Sequence, residues 1–131
     1  MKPLLILAML ISSLFITSVA NAEWTKVVKG KNNGATIYID FDRIRKTGIK
    51  TYFWKLVDMP KPGQIDNISF SSSKEYVEAE CGSFRSKYLI AYAYPTQMGY
   101  GTPNFTFKDG DWSYPNPGSI YEDFLKAVCN H

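Results

Sequence analysis

A chain of 131 residues with a formal net charge of +3 has room for one ordinary domain and is too weakly basic to argue for a nucleic-acid partner. Its one histidine and two cysteines cannot supply a zinc site. Aromatic residues make up 15% of the chain, a high share that calls for either a core or a contact surface.

Residues 1–22 read as a signal peptide cleaved after Ala22. Lys2 gives the positive start, residues 4–11 form an apolar run that resumes at Leu14, Phe15 and Ile16, and Ala20-Asn21-Ala22 is a small-x-small cleavage site. Ser12, Ser13, Thr17 and Ser18 interrupt the run and weigh against an uncleaved anchor. The cleavage site carries no cysteine for lipid attachment. Residues 23–131 are then expected to form a single exported domain, in the periplasm or at the cell surface or secreted.

Residues 24–28 predict a first strand, and Asn32-Asn33-Gly34 a turn after it. Residues 36–41 alternate as a strand, Ile37, Ile39 and Phe41 on one face and Thr36, Tyr38 and Asp40 on the other. Gly48 turns the chain into a strand over residues 49–57. There Ile49, Thr51, Phe53 and Val57 share one face, and Tyr52, Trp54 and Leu56 the other. Pro60-Lys61-Pro62-Gly63 predicts a break, followed by a polar loop with a short strand over residues 64–73.

Residues 76–81 and 88–94 predict a hairpin around Gly82-Ser83. Val77, Ala79 and Cys81 lie opposite Tyr76, Glu78 and Glu80; Leu89, Ala91 and Ala93 lie opposite Tyr88, Ile90, Tyr92 and Tyr94. The small alanine face leaves room for a bulky element across it. That element is a C-terminal helix after Pro117-Gly118: Ser119 caps it, Glu122 completes a capping box, and Ile120, Tyr121, Phe124, Leu125 and Val128 form one stripe. Cys81 and Cys129 are the only thiols, and an even count in a small exported chain predicts a disulfide tying helix to hairpin. The expected fold is α+β: a single antiparallel sheet of about five or six strands, with one C-terminal helix packed across a face. The second apolar face (Tyr52, Trp54, Leu56, Tyr88, Ile90, Tyr92, Tyr94) is either covered by the sheet's own curl or open for contact.

The chain resembles the surface-adhesin protein E family of small bacterial envelope proteins. The marks that carry the resemblance are Tyr38-Ile39-Asp40, Ile44-Arg45-Lys46-Thr47-Gly48, Trp54-Lys55-Leu56-Val57-Asp58 and Ser73-Lys74 ahead of Cys81. They continue with Met98-Gly99-Tyr100-Gly101, Trp112, Pro117-Gly118-Ser119 and Val128-Cys129. The resemblance implies an antiparallel sheet, a C-terminal helix tied down by the disulfide, a chain able to pair as a homodimer, and adhesion to host matrix or serum proteins. The family's founding adhesin is a surface-displayed lipoprotein, a route this chain's cleavage site does not offer.

Catalytic chemistry finds little to build on. His131 is the last residue, where a chain is usually mobile, so no base is positioned for a nucleophile. Ser71-Ser72-Ser73-Lys74 and Lys46-Thr47-Gly48 match letters of the penicillin-binding set, but in the wrong order and in too small a domain. The carboxylate pairs Asp40/Asp42 and Glu78/Glu80 share strand faces and read as solvated, with calcium or acid–base work as the alternatives. In Met98-Gly99-Tyr100-Gly101, the glycines read as turn formers with the tyrosine packed over the loop.

Arg43, Arg45, Lys46 and Lys50 form the densest basic cluster, with Tyr52 and Trp54 nearby. It reads as a solubilising connector or, with the two aromatics, as the protein-binding surface, since Trp, Tyr and Arg dominate interface hot spots. The expected function is non-catalytic protein binding outside the cytoplasm, with no cofactor, no metal and no membrane insertion after processing. The alternatives are a periplasmic accessory protein holding an envelope component or small ligand and, last, a small enzyme.

Overall fold

The computed structural model describes residues 22–131, so the expected signal peptide lies outside the described residues apart from Ala22. Seven antiparallel strands form one sheet: β1 (Thr25–Lys29), β2 (Thr36–Ile39), β3 (Arg45–Thr47), β4 (Lys50–Ile65), β5 (Ile68–Glu80), β6 (Arg85–Tyr94) and β7 (Phe105–Lys108). The order is β1-β2-β4-β5-β6-β7, with β3 taking over from β2 along the same edge of β4 after a 3-10 turn at Phe41–Arg43. One helix, α1 (Ile120–Cys129), closes the described chain. Among the described residues no helix is long and apolar enough to cross a membrane.

The strands form where alternation is cleanest. Ile37, Ile39, Phe53, Val77 and Ala79 project from β2, β4 and β5 onto one face, where Phe124, Leu125 and Val128 of α1 meet them. Each of these eight residues is at most 3% exposed. Ser119 caps α1 as expected: its hydroxyl accepts from the Glu122 amide at 3.3 Å, and the Glu122 carboxylate accepts from the Gly118 amide at 3.4 Å. The Cys81–Cys129 disulfide joins the end of α1 to the β5–β6 turn.

Several expectations change on contact with the structure. Ile49 sits in the tight turn between β3 and β4 and is 77% exposed, because Gly48 at φ 61° turns the chain there and the strand starts one residue later. The Pro60–Gly63 stretch does not end the strand. It is absorbed as a wide bulge, with β4 advancing from Asp58 to Gly63 while β5 advances only from Ser72 to Phe70. A bulge leaves residues outside the hydrogen-bonding ladder, so proline's missing donor does no harm there.

The expected loop with a short strand over residues 64–73 is instead the far end of a long hairpin, turned by Asp66 and Asn67 at φ 49° and 65° with Ile65 facing Ile68. Positive φ at both central residues is the geometry that continues strand twist through a two-residue turn. Beyond Asp58 and Ser72 the hairpin has no strand on either flank among the described residues, and residues 59–71 form a two-stranded arm.

A second bulge governs β6. Tyr76 pairs with Ile90 and Val77 with Tyr88, which leaves Leu89 as the extra residue and moves Tyr88 to the helix-side face. The helix also misses the alanine face. It crosses β1, β2 and the Val77/Ala79 end of β5, while Phe70 and Phe107 flank Ala91 and Ala93. The disulfide to Cys81 sets that position, at the opposite end of the hairpin from Ala93.

Candidate protein-binding face

On the sheet face away from α1, pairing registers stack Trp54 beside Tyr76 and Ile90, and Arg45 beside Tyr52, Glu78 and Lys87. The rings form a ladder. The Arg45 guanidinium lies 5.0 Å from the Tyr52 ring centre, Tyr52 stacks 6.1 Å from Tyr76, and Tyr76 lies 5.1 Å from Trp54. All three rings are half-buried and Arg45 is exposed. Cation–π and ring–ring contacts hold these side chains in fixed poses, so little freedom would be lost on binding.

Glu78 anchors the ladder's inner edge and is itself buried, at 4% exposure. Its Oε1 receives Lys50 Nζ at 2.6 Å and the Tyr52 hydroxyl at 3.2 Å, and Oε2 faces Lys87 Nζ at 3.5 Å. Beyond it Glu80 pairs with Arg85 at 2.9 Å. Arg85 and Lys87 in turn lie over Trp112, at 4.3 and 4.7 Å. The Glu78/Glu80 pair is thus bound up in ion pairs rather than solvated. Asp40/Asp42 does not form a shared face, since Asp42 sits exposed in the 3-10 turn while Asp40 is 1% exposed.

Burial raises the pKa of Glu78, but the hydrogen bonds from Lys50 and Tyr52 and the charges of Lys50 and Lys87 outweigh it, so the net shift is downward. Lys50 is shifted up, chiefly by its hydrogen bond to Glu78. A depressed carboxylate stabilises the fold fully above its unfolded pKa of about 4.3 and loses that contribution as pH falls through the lower folded value. Denaturant midpoints measured from neutral pH down to about pH 2 should therefore fall more steeply in the wild type than in Glu78→Gln. Parallel curves would show that Glu78 carries no linked stability.

The six candidate residues do not form one patch. Arg45, Lys50, Tyr52 and Trp54 belong to the open face. Lys46 shares the register of Thr51 on the opposite face and donates to the main-chain oxygen of His131 at 2.7 Å. Arg43 sits on the 3-10 turn with Nε 3.3 Å from Asp40 Oδ2, an ion pair to a carboxylate that accepts no hydrogen bond from the described residues. Both cations thus have contacts elsewhere. His131 is packed rather than trailing, its ring 4.8 Å from Phe41.

Sequence reasoning missed Tyr76, Arg85, Lys87 and Trp112. Tyr76 was legible, since it alternates with Val77; Trp112 stood only as a family mark, because it lies outside any periodic segment. The expected second face is also partly covered. A 3-10 turn at Gln97–Gly99 folds against β4 and β5, where the Ser72 hydroxyl donates to the Thr96 carbonyl and accepts from the Gly99 amide, and Leu56 and Tyr94 are buried. Gly99 is favoured there: its φ of 65° is one that residues with a side chain rarely adopt, and an added Cβ would stand 2.5 Å from Lys74 Cε and push that side chain aside. Tyr100, expected to pack over this loop, is 72% exposed.

The fold has solved counterparts. Haemophilus influenzae protein E in crystal form II superposes with a TM-score of 0.61 at 17% identity, covering 87% of this chain and 91% of that one. A structure of protein E from non-typeable Haemophilus influenzae gives 0.55 at 18% identity, covering 87% and 79%. No match was found among curated protein sequences. The family model described as Surface-adhesin protein E matches residues 24–130, a span that holds every strand, α1 and both cysteines, and the chain belongs to that family.

Proposed function

We propose that this protein is a non-catalytic binding protein of the bacterial envelope, exported by cleavage after Ala22, that holds a host matrix or serum protein against its open sheet face. The observation that carries the reading is the Arg45–Tyr52–Tyr76–Trp54 ladder: preformed, half-exposed and rigidly backed by the Glu78 ion pairs. A partner with an apolar centre and an acidic margin complements it, its apolar part over Trp54 and Tyr76 and its carboxylates toward Arg45. Membership in a family of surface adhesins supports binding over catalysis. A homodimer fits the same reading if it leaves this face free.

The test is binding of the processed protein to immobilised extracellular matrix and to serum proteins. Trp54→Ala and Arg45→Ala should each weaken it by about ten-fold or more, the loss expected at an interface hot spot. Lys46→Ala should leave it unchanged. Full binding in both of the first two variants would remove this face from consideration. Recovery of the protein only from the periplasm would replace the host partner with an envelope one.

A further inference from the structure

Opposite the aromatic ladder, on the helix side, a cavity of about 380 Å³ opens between the sheet, α1 and the segment that joins β7 to α1. Its floor is Glu75, Val77 and Tyr88, its far wall Tyr121 and Phe124 of α1. The near wall is residues 113–116, held in place by two main-chain hydrogen bonds between Ser86 and Ser113, at 3.0 and 2.9 Å. The bulge at Leu89 brings Tyr88 to this floor. The volume is at the low end of the range for small-molecule sites, which are mostly apolar with a few placed polar groups.

The polar groups are the informative part. Lys55 occupies a β4 position between Phe53 and Val57 where the core stripe calls for an apolar residue. Its side chain is 9% exposed, with the ammonium 4.4 Å from the Phe124 ring centre and 3.5 Å from Glu75 Oε2. Charge-assisted hydrogen bonds run nearer 2.7–2.9 Å, so this ion pair is loose. An ammonium has three donors, and a carboxylate accepts more than the single 3.4 Å bond that Glu75 takes from Ser73. A buried pair kept only for stability is readily replaced by apolar side chains. Asp111 and Lys87 add one charge of each sign to the lining, and the Lys87 ammonium also lies 3.5 Å from Glu78 Oε2 and 4.7 Å from the Trp112 ring centre.

We propose that this cavity binds a small zwitterion, with a carboxylate and an ammonium on one apolar or aromatic body, the chemistry shared by a free amino acid and a dipeptide. The ligand carboxylate meets Lys55, its ammonium meets Glu75, and its body packs against Tyr121, Phe124 and Tyr88. The lining carries two carboxylates and two ammoniums, so a plain anion is opposed by Glu75 and Asp111 and a plain cation by Lys55 and Lys87. A molecule carrying both charges satisfies the spare donors and acceptors together. The site lies on the opposite face from the adhesive ladder and does not depend on that reading.

Amide chemical shifts of the processed, oxidised protein, titrated separately with L-phenylalanine, glycyl-L-phenylalanine, phenylacetate and phenethylamine, decide it. L-phenylalanine or the dipeptide should give saturable shifts at Ser113, Tyr114 and Tyr121, and whichever binds tighter names the source. Phenylacetate and phenethylamine should each bind about ten-fold more weakly, the loss of one charged hydrogen bond. In Lys55→Met the zwitterion's advantage over phenethylamine should vanish, and in Glu75→Gln its advantage over phenylacetate. The analogue series on the unaltered protein stands even if a variant folds poorly. Equal binding of all four, shifts outside the cavity, or no saturable shift overturns the proposal.

Discussion

Reducing the Cys81–Cys129 bond is expected to cost about 4 kcal/mol of stability, the chain-entropy value for a closed loop of this length. The two cysteines stand 48 residues apart, and the loop between them holds β6, β7, the cavity wall and α1. A domain of this size has about 5–15 kcal/mol in total, so the bond is a major share. The physical reason lies in α1. Ten residues are too few for a helix to persist alone in water, and its hold on the sheet is one stripe of side chains plus the sulfur bridge. Denaturant unfolding of the oxidised protein and of the reduced, alkylated protein would measure the difference. Coincident midpoints would mean that packing alone fixes the helix.

Phe53→Ala is expected to cost about 3–5 kcal/mol, as for other large aromatics removed from a packed core. Phe53 is fully buried near the start of β4, 6.2 Å from the Phe124 ring, with Val77 as its cross-strand neighbour. The sheet on one side and the bridged helix on the other limit how far the space can collapse. Phe53→Leu should recover most of the loss. A double-mutant cycle with Phe124→Ala should show the two costs falling short of additive, since the rings share one region of core. Independent, additive costs would show that the helix packs on the sheet without engaging Phe53.

Much of this architecture could be read from residue order. Ile37/Ile39, Phe53 and Val77/Ala79 alternate against polar neighbours, and the Ser119/Glu122 box and the helix stripe are local signals that tertiary contacts then reinforce. Much of what could not be read comes from inserted residues, which reset strand parity or interrupt the pairing. Nothing local in residues 88–94 says that Leu89 will be the odd residue, and so which way Tyr88 points is fixed only by pairing with Tyr76 and Val77. The Pro60–Gly63 bulge is similar, since prolines that would end an interior strand are tolerated where no ladder bond is needed.

The binding cluster was half legible for the same kind of reason. Arg43 and Lys46 are near Arg45 in sequence, but the 3-10 turn and strand parity send them to Asp40 and His131. Lys55, which stands out only once its surroundings are known, gave a family mark and no chemical signal.

The arm formed by residues 59–71 bears on how copies of this protein behave when concentrated. Open edges on a hairpin ordinarily invite another chain to add on as a strand. Here Pro60 and Pro62 carry no amide hydrogen, Lys61 puts a charge between them, and the Gln97 and Asn104 side chains already donate to the Met59 and Ser69 carbonyls, at 3.3 and 3.0 Å. The arm is therefore a poor template for fibril-like growth, and copies of the chain brought close together can keep it exposed without joining strand to strand.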